Sequence, residues 1–199
     1  ASHMAGFARA LAASGFGVVA YDAPAHGDST GRRTDLPEAA EALRAVSDAA
    51  GPFEAVITHS FGGMVAALAV EGGRPMAGRV EFVSLVLVSP PARLGSLTHR
   101  FGLGAALSVR TMSGMQDHIC RRTGRTVDDF ATGALLKGNA RRLLVIHDED
   151  DREVPFIDGR SVAEAAGGRL MATRRLGHRR VLAAPEVARA AAEFVLSAQ

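Results

Sequence analysis

Three kinds of side chain that together could form an activated serine nucleophile each follow an apolar run of this 199-residue chain. Ser60 follows the run around Val56 and Ile57, an acidic cluster at 148–151 follows a later run, and His178 follows another. A serine hydroxyl is a poor nucleophile near neutral pH unless a base within hydrogen-bond reach takes its proton, and a carboxylate usually orients that base. The chain supplies these parts in the order serine, acid, histidine.

Ser60 is predicted to lie on a tight turn between a strand and a helix. The short apolar run before it favours a strand, whereas 64–70 is a strong helix former. Gly62 and Gly63 allow the two backbones to approach closely. Such a turn exposes the hydroxyl and places the Phe61 N–H at a helix N-terminus, where negative charge is favoured. Serine is also a common helix N-cap, so Ser60 alone leaves the nucleophile and the cap as alternatives.

Apolar runs alternate with helical patterns along the chain. Strands are predicted at 16–21, 54–57, 83–88, 143–147 and 170–176. Helices are predicted at 6–13, 36–50, 64–70, 157–166 and from Pro185 onward. Continuously apolar strands that alternate with helices indicate an α/β fold with a mostly parallel sheet and helices on both faces. Ligands collect at the carboxyl ends of strands in such sheets, which is where the polar residues above lie.

Residues 92–140 interrupt this alternation, because they contain no strand pattern and show helical character at 103–109, 115–120 and 127–136. We expect them to form a helical cap inserted into a core made of 1–91 and 141–199. The larger apolar residues of this segment fit either a substrate pocket or core packing: Leu103, Leu107, Met112, Met115 and Leu135.

Four motifs resemble those of the α/β-hydrolase family, in the family's order and over almost the whole chain. They are Asp22-x-Pro-x-His26-Gly27-x-Ser29, His59-Ser60-Phe61-Gly62-Gly63, Asp151-Arg152-Glu153-Val154-Pro155 and Gly177-His178-Arg179-Arg180. The resemblance covers the C-terminal two-thirds of the family's fold. It implies that Ser60 is the nucleophile, His178 the base and Asp151 the acid, since the family's acid stands four residues before a proline. It also implies that the Phe61 amide is one oxyanion donor and that 92–140 is the family's variable cap.

Other assignments, including non-catalytic ones, remain open for these residues. Asp150 is the next candidate for the acid, the cluster 148–151 could be a solvated charge run, and His178 could be a surface histidine. Three further histidines near the motifs are interpreted as packing or structural support: His26, His59 and His147.

The chain departs from the family's pattern in two places. Thr58 stands where the family has a small residue two positions before the nucleophile, so a slightly altered turn is expected. The family's strand between those predicted at 16–21 and 54–57, and the His-Gly loop after it that supplies the second oxyanion donor, have no counterpart. We therefore expect a longer reading frame with two or three upstream strands and a His-Gly turn. A stop codon directly before Met4 would contradict this expectation.

Composition excludes several other classes of function. The formal net charge is +2, the arginines are scattered, and one tyrosine with no tryptophan leaves few stacking platforms, which argues against nucleic-acid binding or a strong field toward an anionic membrane. No apolar run is long enough for a membrane span. Cys120 is the single cysteine, so a reducing, cytoplasmic compartment is expected. No histidine pair has ligand spacing with carboxylates, so we expect no metal and no cofactor.

The sequence predicts a serine hydrolase that cleaves an ester of a small or medium apolar acyl group through an acyl-enzyme on Ser60. Its expected partner is a small apolar ester-like molecule. Two other classes stay open. One is thioester, amide or C–C hydrolysis, or cofactor-free peroxidase chemistry, on the same fold. The other is a non-catalytic binding module, because the second oxyanion donor is missing. The sequence does not indicate an oligomeric state.

Overall fold

The computed structural model describes residues 2–198, which form four strands and nine α-helices. The strands are β1 (Ala55–His59), β2 (Ser84–Val88), β3 (Arg142–Asp148) and β4 (Arg169–Thr173). The helices are α1 (Ala5–Ala13), α2 (Leu36–Ala50), α3 (Phe61–Glu71), α4 (Leu94–Gly104), α5 (Val109–Thr123), α6 (Thr132–Leu136), α7 (Phe156–Ala166), α8 (Gly177–Arg180) and α9 (Pro185–Leu196). Short 3₁₀ turns lie at Ser2–Met4, Val127–Asp129 and Val181–Ala183.

The strands form one parallel sheet in the order β1-β2-β3-β4. Its register places Ile57 beside Val86 and Val86 beside Leu144. Because all four strands run in the same direction, their carboxyl ends lie along one edge of the sheet. Ser60 follows β1 directly, Asp151 lies in the loop after β3, and His178 lies in the short helix α8 after β4. The topology therefore brings the three predicted catalytic residues to that edge.

The sheet separates two apolar layers, as the α/β class predicts. Alternate residues of the central strands face opposite sides, because successive side chains of a strand point to opposite faces. One layer contains Leu85, Leu87, Leu143 and Val145 with helices α2, α3, α6 and α7. The other contains Val86, Val88, Leu144 and Ile146 with helices α1 and α9. The predicted fold class, with helices on both faces of a parallel sheet, is confirmed.

Local sequence signals account for where the main helices begin. The Asp35 side chain accepts a hydrogen bond of 2.9 Å from the Glu38 N–H, and Pro37 occupies the first turn of α2. Pro185 likewise begins α9. The helices predicted at 36–50 and from Pro185 therefore match the structure, and those predicted at 6–13 and 157–166 match to within one residue.

The strand predicted at 16–21 is wrong. These residues have no regular secondary structure, and Val18 and Val19 are 39% and 51% exposed. A cavity of about 340 Å³ lies between them and the chain at 52–57, which includes most of β1. Neighbouring strands of a sheet lie only about 4.8 Å apart. The apolar pattern reports β-propensity, but the cavity separates this segment from β1 and the two do not pair.

Helices α4 and α5 form a hairpin that leaves the core after β2. The helix predicted at 103–109 is wrong, because this stretch contains the turn between them, where the Ser108 side chain caps α5 by accepting a hydrogen bond from the Thr111 N–H. Helix α6 packs instead against α3 and α7, and its Leu135 is buried in the core. Among the described residues, no helix is both long and apolar enough to cross a membrane.

Gly63 tests the packing of α3 against the end of β2. A Cβ at Gly63 would lie 2.9 Å from the Pro90 Cβ, whereas a Cβ at Gly114 in α5 would meet open space. Alanine stabilises an exposed helical position by up to about 1 kcal/mol relative to glycine, while overpacking a buried one costs about 1–3 kcal/mol. We expect Gly114→Ala to raise the free energy of unfolding and Gly63→Ala to lower it, both measured by urea denaturation. Equal stabilisation by both substitutions would contradict this packing.

Candidate active site

Ser60 occupies a strained turn between β1 and α3. Its φ of 53° and ψ of −125° lie outside the regions that non-glycine residues prefer. The backbone is held there by a 2.8 Å hydrogen bond from the Ser60 N–H to the Val88 carbonyl and by one of 2.9 Å from the Gly63 N–H to the Ser60 carbonyl. The Ser60 hydroxyl makes no hydrogen bond within residues 2–198. A strained turn of this kind keeps a serine hydroxyl clear of both elements.

Thr58 fits this turn although it is larger than the residue the family pattern favours. A Cβ at Gly62 would lie 3.3 Å from the Thr58 Cβ, so glycine at 62 makes room for the β-branched side chain. The Thr58 hydroxyl is buried without a hydrogen-bond partner in the described structure. The turn therefore forms, and one buried polar atom is left unsatisfied.

Asp151 and His178 form a buried hydrogen-bonded pair. The His178 Nδ1 lies 2.7 Å from the Asp151 Oδ2, and because a carboxylate only accepts, Nδ1 carries the hydrogen. The other oxygen of Asp151 accepts hydrogen bonds from the N–H groups of Glu153 (2.9 Å) and Val154 (2.8 Å). Burial alone would raise the pKa of Asp151, but hydrogen bonds from His147, His178 and Val154 outweigh it and hold this pKa well below its ordinary value. Asp151 is thus an ionised acceptor that fixes the ring of His178.

Asp150, the alternative acid, points elsewhere. It is exposed, and its Oδ2 accepts a 2.8 Å hydrogen bond from the Arg175 N–H. Of the two candidates, the structure therefore brings only Asp151 to His178.

His59 connects the turn at Ser60 to α8, the short helix that carries His178. Its ring centroid lies 4.6 Å from that of His178, and its Nε2 donates a 2.8 Å hydrogen bond to the His178 carbonyl. Burial, and secondarily the nearby His178, lowers the pKa of His59 to about 4, so the ring is neutral at pH 7. His59 and Ser60 are adjacent in the chain, and this contact therefore holds the backbone of His178 beside the turn that carries Ser60.

His147 packs against the turn that carries Asp151. Its ring is fully buried, with Nε2 3.0 Å from the Val154 carbonyl and 3.5 Å from the Asp151 Oδ2. The ring occupies space left by Gly159, where any Cβ would collide with it. His147 thus braces the turn that presents Asp151, which agrees with its interpretation as buried support.

Asp148, the last residue of β3, joins the turn that carries Asp151 to residues 173–177, which lead to His178. Its fully buried carboxylate accepts four hydrogen bonds, from the N–H groups of Asp150 (3.0 Å), Gly177 (2.9 Å) and Leu176 (3.1 Å) and from the Thr173 hydroxyl (2.8 Å). Burial alone would raise the pKa of Asp148, but these donors lower it below its ordinary value. The chain neighbours of Asp151 and of His178 are therefore hydrogen-bonded to the same carboxylate.

A cavity of about 940 Å³ opens beside Phe61, the residue after Ser60. Its apolar side chains come from the starts of α2 and α3 and from α4 and α5: Leu36, Phe61, Leu94, Leu97, Phe101, Met115 and Ile119. Charged residues line it as well: Arg33, Asp35, Glu38, His118 and Arg122. Of the five apolar residues singled out in 92–140, Met115 lies in this cavity.

His26 lies apart from this site. It is exposed, and its Nδ1 lies 3.0 Å from the Pro24 carbonyl within its own turn. Within residues 2–198, no three histidine, cysteine, aspartate or glutamate side chains are grouped so that they could hold a metal ion.

Comparisons with known proteins assign this chain to a family. A model described as the alpha/beta hydrolase family matches residues 2–191. The chain belongs to the alpha/beta hydrolase family. The recognition from the four motifs is thereby confirmed. A search of curated proteins finds no match to this hydrolase.

Several solved structures share the fold of this hydrolase. An esterase of Pyrococcus furiosus, Pf2001, is 22% identical, with a TM-score of 0.70 over 99% of this chain and 77% of its own. A monoacylglycerol lipase of Paleococcus ferrophilus is 19% identical, with a TM-score of 0.71 over 100% of this chain and 90% of its own. Est1E of Butyrivibrio proteoclasticus, solved with ferulic acid, is 18% identical, with a TM-score of 0.74 over 99% and 83%.

Sequence reasoning missed the part played by Asp148, which it treated as one member of a charge run. The available signal was its position directly after the buried run 143–147, at the edge where the other site residues lie. Three of its four donors belong to residues 173–177, more than twenty positions away, and nothing local in the sequence indicates those contacts.

Asp148→Asn should destabilise this hydrolase strongly. The amide nitrogen that replaces one carboxylate oxygen would face groups that donate, and each buried donor left unpaired costs about 1–3 kcal/mol. We expect a loss of at least about 2 kcal/mol in the free energy of unfolding, measured by urea denaturation. The matched control is Asp150→Asn, in which the carboxylate that changes is exposed and accepts a hydrogen bond from the Arg175 N–H. Similar losses in both variants would contradict the role of Asp148.

His59 should make stability depend on pH between its folded and unfolded pKa values. Its folded pKa of about 4 lies below the ordinary 6.5, so as pH falls the unfolded chain binds a proton first. The free energy of unfolding should therefore fall by about 2 kcal/mol from His59 alone between pH 7.5 and 4.5.

We expect His59→Asn to remove this part of the slope, as measured by urea denaturation across that pH range. The control is His99→Gln, because His99 is exposed. An unchanged slope in His59→Asn would show that the ring titrates freely in the folded state.

Proposed function

We propose that this chain is a serine hydrolase that cleaves carboxylic esters with a small or medium apolar acyl group, using Ser60, His178 and Asp151. The observation that carries the proposal is the 2.7 Å hydrogen bond between the His178 Nδ1 and the Asp151 Oδ2, in a histidine whose backbone is bound by the neighbour of Ser60. The strained turn at Ser60 supports the assignment, because it leaves the hydroxyl free for an incoming substrate.

The proposed reaction begins with attack of the Ser60 Oγ on the ester carbonyl carbon. The Nε2 of His178 accepts the hydroxyl proton, while the ionised Asp151 keeps the hydrogen on Nδ1 and stabilises the imidazolium. The carbonyl oxygen becomes an oxyanion, which the Phe61 N–H receives at the N-terminus of α3. The tetrahedral intermediate then collapses, the C–O bond to the alcohol breaks, and the alcohol leaves with the proton from His178.

The acyl group is then released by the same residues. His178 takes a proton from a water molecule, whose oxygen attacks the acyl carbon on Ser60. Collapse of this second intermediate breaks the ester bond to Ser60, and His178 returns the proton to the Oγ. The carboxylic acid is the product, and the site returns to its starting state.

The cavity beside Phe61 supports an apolar substrate. Its volume of about 940 Å³ lies within the range of small-molecule sites, and α4 and α5 supply most of its apolar lining. We propose that these helices are the working part of the cap at 92–140, so that the acyl chain lies against Leu97, Phe101 and Met115.

Ser60→Ala should lower the hydrolysis rate of p-nitrophenyl butyrate by roughly 10⁴-fold or more, because it removes the nucleophile of a triad whose members act as a unit. The wild type should also react at Ser60 with a fluorophosphonate, as seen by mass spectrometry of the labelled peptide. Ser89→Ala is the control, because the buried Ser89 hydroxyl has no hydrogen-bond partner in the described structure. Full esterase activity in Ser60→Ala would reject the assignment.

A further inference from the structure

The most exposed large apolar side chains of the described structure flank the turn between α4 and α5. Phe101, Leu103 and Val109 are 60%, 62% and 78% exposed, and the other exposed side chains of this kind reach only 51%. We call these three residues, with Arg110, the cap tip. These three residues fall within nine positions of one another, and exposed apolar side chains grouped in one part of a protein mark a site of interaction, whereas single ones need no explanation.

The cap tip has a defined shape. The Leu107 N–H donates a 2.8 Å hydrogen bond to the Gly102 carbonyl, and the Ala105 N–H donates one of 2.9 Å to the Phe101 carbonyl. Gly102 is buried directly against Met112 of α5, so close that a Cβ would collide with that side chain. The two helices are therefore fixed to each other on either side of the turn, and the exposed residues belong to an ordered hairpin.

The apolar surface of the cap tip continues into the cavity. Phe101 is exposed at the tip and also lines the cavity, whose lining extends through Leu97 and Met115 to Phe61 beside Ser60. A molecule with an apolar chain that left a surface contacted by the tip would meet Phe101, Leu97 and Met115 before Phe61, in a cavity that charged residues also line.

Arginines are concentrated in the segment that contains the tip. Residues 92–125 contain six arginines and one aspartate, a formal +5, so the rest of the chain carries −3 of the whole-chain +2. Three of these arginines pair with acids outside the hairpin, namely Asp158, Asp35 and Glu71. The other three are exposed and form no ion pair in the described structure: Arg93, Arg110 and Arg121. Of these three, Arg110 is the one at the tip, directly after Val109, because Arg93 precedes α4 and Arg121 lies in the last turn of α5.

We propose that the cap tip binds the surface of an anionic lipid aggregate, with Phe101, Leu103 and Val109 in the interface and Arg110 against the headgroups. Apolar side chains flanked by arginine are the pattern by which surface helices bind lipid, and each cation near an anionic surface adds to the attraction. Nucleic acid fits the tip less well, because its exposed residues are mainly aliphatic and offer one ring for stacking. This binding requires no catalysis, and the mouth of the proposed active site would face the lipid.

Sedimentation with vesicles tests the proposal independently of hydrolysis, and the inactive Ser60→Ala variant serves as the starting protein. We expect it to bind vesicles of phosphatidylglycerol and phosphatidylcholine, and to bind pure phosphatidylcholine at least tenfold more weakly. Phe101→Ser, Leu103→Ser and Val109→Ser together should weaken binding to the anionic vesicles at least tenfold. Arg110→Gln should weaken it for the anionic vesicles alone. Ile157→Ser with Leu196→Ser is the matched control, because both are exposed apolar residues on other helices.

Several outcomes would overturn the proposal. The first is that the protein binds neither kind of vesicle. The second is that the control variant loses as much vesicle binding as the triple variant. The third is that both Val109→Ser alone and the triple variant bind vesicles as the starting protein does. Dimerisation through the tip without vesicle binding would assign the tip to a second copy of the chain. Tight binding of duplex DNA, with vesicle binding absent, would assign the cations to nucleic acid. Circular dichroism of each variant verifies that the fold is retained, and Arg110→Gln keeps the test decisive if the triple variant unfolds.

Discussion

The carboxylate of Asp148 is the constraint on which the geometry of the site depends. It ends β3, and its hydrogen bonds reach both Asp150 in the acid turn and the residues 173–177 that lead to His178. A buried charge without a cationic partner is tolerated only when donors satisfy its lone pairs, and four donors do so here. The distance between Asp151 and His178 is therefore set by a network, since either turn would need to break hydrogen bonds to Asp148 in order to move.

Two histidines, His59 and His147, support the Asp151–His178 pair. A charged His59 would lie against His178 and repel its protonated form, but burial keeps His59 neutral while its Nε2–H still holds the His178 carbonyl. His147 similarly braces the acid turn through Val154. In the proposed mechanism this leaves one group, His178, free to change its charge during the reaction, with an ionised carboxylate to stabilise it.

Sequence patterns were sufficient for the fold class and for most elements, because these depend on local periodicity and on caps such as Asp35 and Pro185. They failed at 16–21, since apolar alternation reports a preference for strand but not the presence of a neighbour to pair with. They also missed the turn at 103–109, where apolar composition resembled a helix. At the site, residue types and order placed Ser60, Asp151 and His178 at one edge of the sheet. Asp148 was missed because its donors lie far away in the chain.

Whole-chain averages were the least informative quantity, and the hairpin of α4 and α5 shows why. A net charge of +2 argues against a field toward anionic surfaces only if charges are evenly distributed, yet the segment 92–125 has a formal charge of +5 and keeps three arginines without an ion pair in the described structure. Interaction free energies between charges fall off within about 8–10 Å at physiological ionic strength, so a surface responds to the local charge and not to the sum. A hairpin of two helices can therefore differ in character from the core it packs against. In this hydrolase the hairpin of α4 and α5 combines those arginines with the most exposed apolar side chains of the described structure.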